Sequence, residues 1–114
     1  MIRDSVYQAF ERATVELLQS VEVAMAETEN IAGQFPQARV WIIPLNKLVR
    51  ILQKCPKQTE FEQRFPEFSE QLRGSLVEVV IVGEAVAETL PAQGRTAVYK
   101  FLDSCRELLN TMAS

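Results

Sequence analysis

The stretch from Phe65 to Leu90, FPEFSEQLRGSLVEVVIVGEAVAETL, is the most apolar long segment of the chain and constrains its fold most strongly. Its middle is rich in β-branched residues between Gly74 and Gly83, a composition that is also typical of a buried strand. Spacing favours a helix, because at about 100° per residue the apolar residues gather on one face and the charged ones on the other. The apolar face contains Phe68, Leu72, Leu76, Val79, Gly83, Val86 and Leu90, and the charged face contains Glu67, Glu70, Arg73, Glu78, Glu84 and Glu88.

A helix of this length agrees with the rest of the sequence. No other segment resembles a strand, and a lone strand would leave its backbone groups unpaired. About 25 helical residues span roughly 37 Å, a length that suits a helical bundle. Pro66 is suited to the first turn of this helix, although the helix is alternatively continuous with a short preceding one.

Two further amphipathic segments flank the central one. The first helix is expected from about Asp4 to Ala32, opened by the capping pattern Ser5-x-x-Gln8 and closed near Gly33. Its apolar stripe is Val6, Phe10, Ala13, Leu17, Val21, Ala24 and Ile31. The last helix is expected from about Thr96 to Met112, after a turn marked by Pro91 and Gly94. Its apolar side is Val98, Phe101, Leu102, Cys105, Leu108, Leu109 and Met112.

The segment QARVWIIPLNKLVRILQKC contains a proline that limits how it can fold. Pro44 lacks a backbone donor and would collide with the carbonyl of Val40 in a continuous helix. We therefore expect a kink, or a break with a fresh helix start near Pro44. Trp41 is expected to fill core space beside the break, because its neighbours are apolar. The inward side is expected to be Leu45, Leu48, Val49 and Leu52.

These segments predict an all-α, antiparallel four-helix bundle with one helix kinked or broken near Pro44. The 114 residues are enough for one domain, residues 1–114, with a single core. No segment approaches about 18 uncharged apolar residues, so we expect no membrane span, and no signal-peptide pattern opens the chain. Cys55 and Cys105 lack metal-type spacing and are expected as reduced thiols in a cytoplasmic protein, unless their helices meet and allow a disulfide.

The absence of histidine excludes several kinds of active site. Ser/His or Cys/His nucleophilic sites, Glu-x-x-His di-iron sites and the usual zinc sites all require it. The four glycines are isolated, so there is no phosphate-binding loop. Glu84 and Glu88 share a helical face, as a magnesium-dependent hydrolase would require, but a solvent-facing row of glutamates also serves solubility alone. We therefore expect no enzyme activity, no metal, no cofactor and no small-molecule substrate.

Charge is distributed unevenly along the chain. Residues 30–59 carry five basic side chains and no acid, whereas residues 60–90 carry seven acids and two arginines. Lys47, Arg50 and Lys54 are three and four residues apart and share one helical stripe. The structural interpretation is that this basic helix lies beside acidic neighbours. The functional interpretation is an anion or nucleic-acid contact surface formed by Arg39, Lys47, Arg50 and Lys54.

A second surface feature lies on the charged side of the central helix. Val77, Ile81 and Ala85 project there, where a monomeric bundle ordinarily places polar groups. Either other parts of the chain cover this strip, or it is presented to a second molecule. The sequence thus favours a non-enzymatic protein-protein interaction module, an adaptor or assembly subunit that forms a homodimer through Val77, Ile81 and Ala85. The alternative is a small helical subunit of a ribonucleoprotein that contacts the RNA backbone through its basic helix.

Overall fold

The computed structural model describes residues 4–113, and the side chains of residues 6–110 except Gln93 and Ala97. This range contains four α-helices and two short 3₁₀ helices, and no strand occurs within it. In chain order the elements are α1 (Asp4–Ala32), a 3₁₀ segment (Pro36–Trp41), α2 (Ile42–Gln53), a 3₁₀ turn (Gln58–Glu60), α3 (Phe61–Glu88) and α4 (Ala92–Ala113). The predicted all-α class is confirmed.

The four helices form a ring around one core. Consecutive helices pack against each other across short connections, which is the antiparallel arrangement of a helical bundle. The pairs α1–α2, α2–α3 and α3–α4 are in close contact, and α4 returns beside α1 with the loosest contact of the four. The bundle is elongated, with extents of 50 × 23 × 19 Å. Because the four helices form a ring, the α2–α3 pair and the α1–α4 pair lie on opposite sides of the bundle.

Helix α3 buries the face that its spacing predicts. All seven residues of the predicted apolar face are buried, and the glutamates opposite them are exposed except for Glu84, which is half-buried. The helix begins at Phe61, so the alternative of a helix that continues through Pro66 is correct. Pro66 is exposed, so the gap in the helical hydrogen bonds lies on the solvent side, where water can satisfy the carbonyl.

The predicted break near Pro44 lies between the 3₁₀ segment and α2. The 3₁₀ segment ends at Trp41 and α2 starts afresh at Ile42. Pro44 is the third residue of α2, where its nitrogen needs no helical acceptor. Leu45, Leu48 and Leu52 are buried and Val49 is half-buried, as predicted.

Trp41 fixes the 3₁₀ segment to the core. Its indole is buried, and Nε1 donates a hydrogen bond of 3.0 Å to the carbonyl of Val79. Its ring meets Phe101 of α4 edge to face, with the ring centroids 5.8 Å apart. Gly83 leaves the space that the indole occupies, because a Cβ there would lie 3.0 Å from Nε1 of Trp41. The prediction that Trp41 is a core residue is therefore confirmed.

The predicted stripe of α1 is wrong at two positions. Val6 and Ala13 are exposed, whereas Thr14 and Thr28 are buried. Core contacts recur at alternating spacings of three and four residues, and the two threonines occupy places in that repeat. Each hydroxyl is satisfied by the carbonyl four residues earlier: Thr14 donates to Phe10 at 2.9 Å and Thr28 to Ala24 at 2.6 Å.

Helix α4 starts earlier than predicted. It begins at Ala92, directly after Pro91, so that Gly94 lies inside its first turn and not in the connecting turn. Its predicted side is otherwise correct, since Val98, Phe101, Leu102 and Cys105 are buried and Leu108 and Leu109 are half-buried. The predicted Ser5 cap and the inward side chain of Met112 lie outside the described side chains.

Candidate protein interface

The apolar strip on α3 is exposed. Val77 is 42% exposed and Ile81 is 62% exposed, and Ala85 also faces solvent. Ile81 is two residues from both Val79 and Gly83, which places it about 160° around the helix from each of these core positions. The described residues leave this strip exposed, so the interpretation that they cover it is wrong.

A second isoleucine, on α2, is equally exposed, although it was not predicted as an interface residue. Ile43 is 62% exposed, the same fraction as Ile81, and no other large apolar side chain of the described range exceeds this value. It stands two residues from the buried Leu45, just as Ile81 stands two residues from Val79. Extending the helical phase of Leu45 and Leu48 back through Pro44 would have placed Ile43 on the outer surface.

An ion pair between α2 and α3 shows the relative position of the two isoleucines. Lys47 Nζ of α2 lies 3.5 Å from Glu78 Oε1 of α3, across the boundary between the helices. Ile43 is one turn before Lys47, and Ile81 is one turn after Glu78. Because α2 and α3 are antiparallel, both isoleucines lie at the same level along the bundle. The pair itself contributes little stability, since both side chains are about half exposed.

The four predicted anion contacts are all exposed, but they do not form one row. Arg39, in the 3₁₀ segment, borders a hollow with Glu29 of α1, Ile42 and Ile43. Lys47 is paired with Glu78, in agreement with the structural interpretation of the basic helix. Arg50 lies on α2 and Lys54 follows its last residue, and Lys54 borders a hollow that contains Arg64, Glu67, Phe68 and Gln71 of α3.

The surface of α3 beside this basic row is acidic. Glu67, Glu70, Glu78 and Glu88 are exposed along it. The face formed by α2 and α3 therefore has a basic half and an acidic half that meet at the Lys47–Glu78 pair, with Ile43 exposed on α2 and Val77, Ile81 and Ala85 exposed on α3. We call it the α2–α3 face, with Ile43, Val77, Ile81 and Ala85 as its apolar residues.

The remaining reactive groups do not assemble a chemical site among the described residues. No group of three or more metal-ligating side chains occurs there. Glu84, a member of the carboxylate pair considered above, is bonded to Arg106 of α4, which also contacts Asp103. Burial raises the pKa of the Cys105 thiol to about 12, and burial also raises the pKa of Cys55, which is half-buried. Neither cysteine is in a disulfide.

Comparison with known proteins adds no further information about function. No protein-family model, curated protein or solved structure matches the chain. Among the described helices, none is both long enough and apolar enough to cross a membrane. Function is therefore inferred from the surface of the bundle.

Proposed function

We propose that this protein is a non-enzymatic interaction module that forms a homodimer through the α2–α3 face. The observation that carries the proposal is that Ile43 and Ile81, the two most exposed large apolar side chains described, lie at the same level on adjacent helices. Their exposure is costly in water and is relieved when a second apolar surface covers them. The two free thiols agree with the cytoplasmic location expected from the sequence.

A two-fold axis parallel to the helices gives this face a complementary partner in a second copy. Rotation about such an axis places α2 of one copy opposite α3 of the other and preserves the level of every residue. Ile43 then meets Ile81 of the second copy. Lys54 is two turns beyond Lys47, at the level of Gln71, and so faces the Glu70 region of the second copy. In the dimer, the basic half of each copy therefore faces the acidic half of the other copy.

Helix α2 spans about 18 Å of the 50 Å bundle, so the longer α3 supplies the rest of the face toward the roughly 800 Å² per partner of a standard interface. Helices at the interface approach closely where side chains are small, and Gly74 and Ala85 border Ile81 on α3.

The test compares two charge insertions. Ile81→Glu introduces two like charges at the centre of the interface, and Val15→Glu introduces the same charge on α1, where Val15 is 48% exposed. Sedimentation velocity should give a dimer for the native protein and for Val15→Glu, and a monomer for Ile81→Glu with unchanged helicity by circular dichroism. A dimer that survives Ile81→Glu would exclude the α2–α3 face as the interface.

The ribonucleoprotein alternative has weaker support. Lys47 is already paired with an acid, Arg39 lies apart from the α2 row, and the net charge of −3 opposes binding to phosphate. A salt-sensitive gel shift with single-stranded RNA, abolished when Lys47, Arg50 and Lys54 are changed to Glu, would favour it. Absence of a shift at low salt would remove it.

A further inference from the structure

The seam between α1 and α4, on the side opposite the α2–α3 face, is an open groove. Two hollows of about 470 Å³ and 340 Å³ lie along it, and both are bordered by Glu27. The first continues from Glu27 toward Glu16 and Ser104, and the second from Glu27 toward Phe35 and Pro91. From Glu16 to Ile31 the groove follows α1 for about 22 Å, at about 1.5 Å per residue. We call this furrow the α1–α4 groove.

The groove has an apolar floor and a polar rim. Small side chains on its walls, including Ser20 and Ala24, keep the two helices from filling the space between them. The apolar lining includes the exposed Val23 and the buried Phe101 in the first hollow, and Ile31, Phe35 and Pro91 in the second. The hydroxyls of Ser20 and Ser104 donate to carbonyls of their own helices, so they do not determine what binds.

The charged side chains on the rim indicate the charge of the ligand. Glu16 and Glu27 are eleven residues apart on α1, which places them on the same side of the helix, about 16 Å from each other. Both are exposed, and neither forms an ion pair with any described residue. Lys100 stands on the opposite wall, in the first hollow. The α1 wall therefore attracts two cationic groups separated by three helical turns.

The walls also identify the shape of the ligand. In the first hollow both walls are helices whose backbone groups are already hydrogen-bonded, and in the second the amides of Gln34 and Phe35 bond to the carbonyl of Ile31, so the groove offers little unpaired backbone to an extended strand. A helix satisfies its own backbone and presents one apolar face, which is the mode of helix-in-groove recognition. A helix of about 15 residues matches the length of the groove.

We propose that the α1–α4 groove binds an amphipathic helix of a partner protein, whose apolar face covers Val23, Ile31 and Phe101 and whose basic side chains pair with Glu16 and Glu27. This surface does not depend on the proposed dimer, because it lies on the other side of the bundle. If both proposals hold, a dimer presents two such grooves facing away from each other. This arrangement would make the protein a bivalent adaptor.

The probe for this proposal is a fluorescein-labelled 15-residue helical peptide with leucines along one face and two lysines eleven residues apart. A matched peptide has glutamates at those two positions. Fluorescence anisotropy measures the binding of each peptide to the native protein, to Glu16→Lys/Glu27→Lys and to Glu11→Lys/Glu22→Lys. The last variant has the same charge change at the same spacing on another side of α1, and so it reports the effect of net charge alone.

The lysine peptide should bind the native protein and Glu11→Lys/Glu22→Lys with affinities within about threefold, and Glu16→Lys/Glu27→Lys should weaken it at least about tenfold. The glutamate peptide should show the reverse preference for Glu16→Lys/Glu27→Lys. Ser20→Tyr, which places a bulky side chain from the α1 wall into the groove without changing charge, should weaken both peptides. Circular dichroism and the emission of Trp41 confirm that each variant is folded.

Two results would overturn the proposal. One is the absence of saturable binding of the lysine peptide to the native protein. The other is an equal loss of binding in both double variants, which would attribute the affinity to net charge. Repeating the titration with Ile81→Glu separates the two proposals, because a monomeric variant that still binds the peptide retains the groove independently of the dimer.

Discussion

The indole of Trp41 donates a hydrogen bond to the carbonyl of Val79 across 38 residues of sequence, within the interior of a continuous helix. That carbonyl is accessible because the next residue on the same side of α3 is Gly83. A Cβ on Gly83 would lie 2.8 Å from Cδ2 of Leu102 and 3.0 Å from Nε1 of Trp41. One glycine thus allows the 3₁₀ segment, α3 and α4 to meet at a single point.

Replacement of Gly83 by alanine should destabilise the bundle. The added methyl group meets two fully buried neighbours that have no space to move into, and overpacking of this kind costs about 1–3 kcal/mol. The higher helix propensity of alanine offsets up to about 1 kcal/mol of that cost. Gly74→Ala is the matched control, because a Cβ there has no neighbour within 4 Å, and it should stabilise the protein. Urea unfolding measures both, and a more stable Gly83→Ala would contradict this interpretation.

Trp41→Phe should separate the hydrogen bond from the aromatic ring. The phenyl ring retains contact with Phe101, but the Val79 carbonyl loses its additional donor and a cavity replaces part of the indole. A loss of about 1–3 kcal/mol in the free energy of unfolding is expected. Trp41 is the single tryptophan of the chain, so its emission in the native protein should be blue-shifted and should move to longer wavelength on unfolding. Red-shifted native emission would show that the indole is not buried.

Arg95 should stabilise the end of α3 from its position in α4. Its Nε donates to the carbonyls of Ala87 at 3.0 Å and Leu90 at 2.9 Å, where α3 ends. A cation at a helix C-terminus satisfies free carbonyls and interacts favourably with the helix dipole. Arg95→Met should therefore cost about 1 kcal/mol in chemical denaturation. Arg73→Met, at an exposed position of α3, should change stability by less than about 0.5 kcal/mol, and equal effects in the two variants would contradict the capping role.

These contacts separate what the sequence could predict from what it could not. Every residue of the predicted core face of α3 is buried, because these positions are apolar or glycine and the acids opposite them fix the orientation of the helix, but Phe61, Ser75 and Ala87 are also buried and were not predicted. The buried stripe of α1 was predicted incorrectly because Thr14 and Thr28 are polar residues. They are suitable for burial only because their hydroxyls form hydrogen bonds to the preceding turn. The special role of Gly83 depends on Trp41 and Leu102, which are distant in sequence.

The surface was predicted less completely than the core. Ile81 stands out in the sequence because it interrupts a row of charges, whereas Ile43 precedes Pro44, so its exposure follows only if the helical phase of Leu45 and Leu48 is extended back through the proline. The alignment of these two residues depends on the register between α2 and α3, which the Lys47–Glu78 pair reveals only in three dimensions. The α1–α4 groove was not predicted, since looseness between the first and last helices is a property of the assembled bundle.

The buried thiol of Cys105 should cause the free energy of unfolding to fall at alkaline pH. Burial raises the pKa of its thiol from 9.0 to about 12 in the folded protein, so the unfolded chain releases this proton first as the pH rises. The stabilisation is therefore fully present below pH 9 and is lost as the pH approaches 12, with a slope of up to about 1.4 kcal/mol per pH unit. Denaturation of the native protein and of Cys105→Ala between pH 7 and 10.5 measures the difference. Parallel pH profiles of the two proteins would contradict it.

The thiols also provide a check of burial at fixed pH. Cys55 is half-buried and Cys105 is fully buried, so a thiol reagent should modify Cys55 in the native protein and Cys105 only after unfolding. Rapid modification of both thiols in the native state would show that the core around Cys105 is open.

The mass of the native protein in solution tests the proposed homodimer most directly. Sedimentation equilibrium over a range of micromolar concentrations should give a mass that rises with concentration toward twice the 12.9 kDa of one chain, through the α2–α3 face. A mass that stays at 12.9 kDa over the whole range would contradict the proposal that Ile43 and Ile81 meet a second copy.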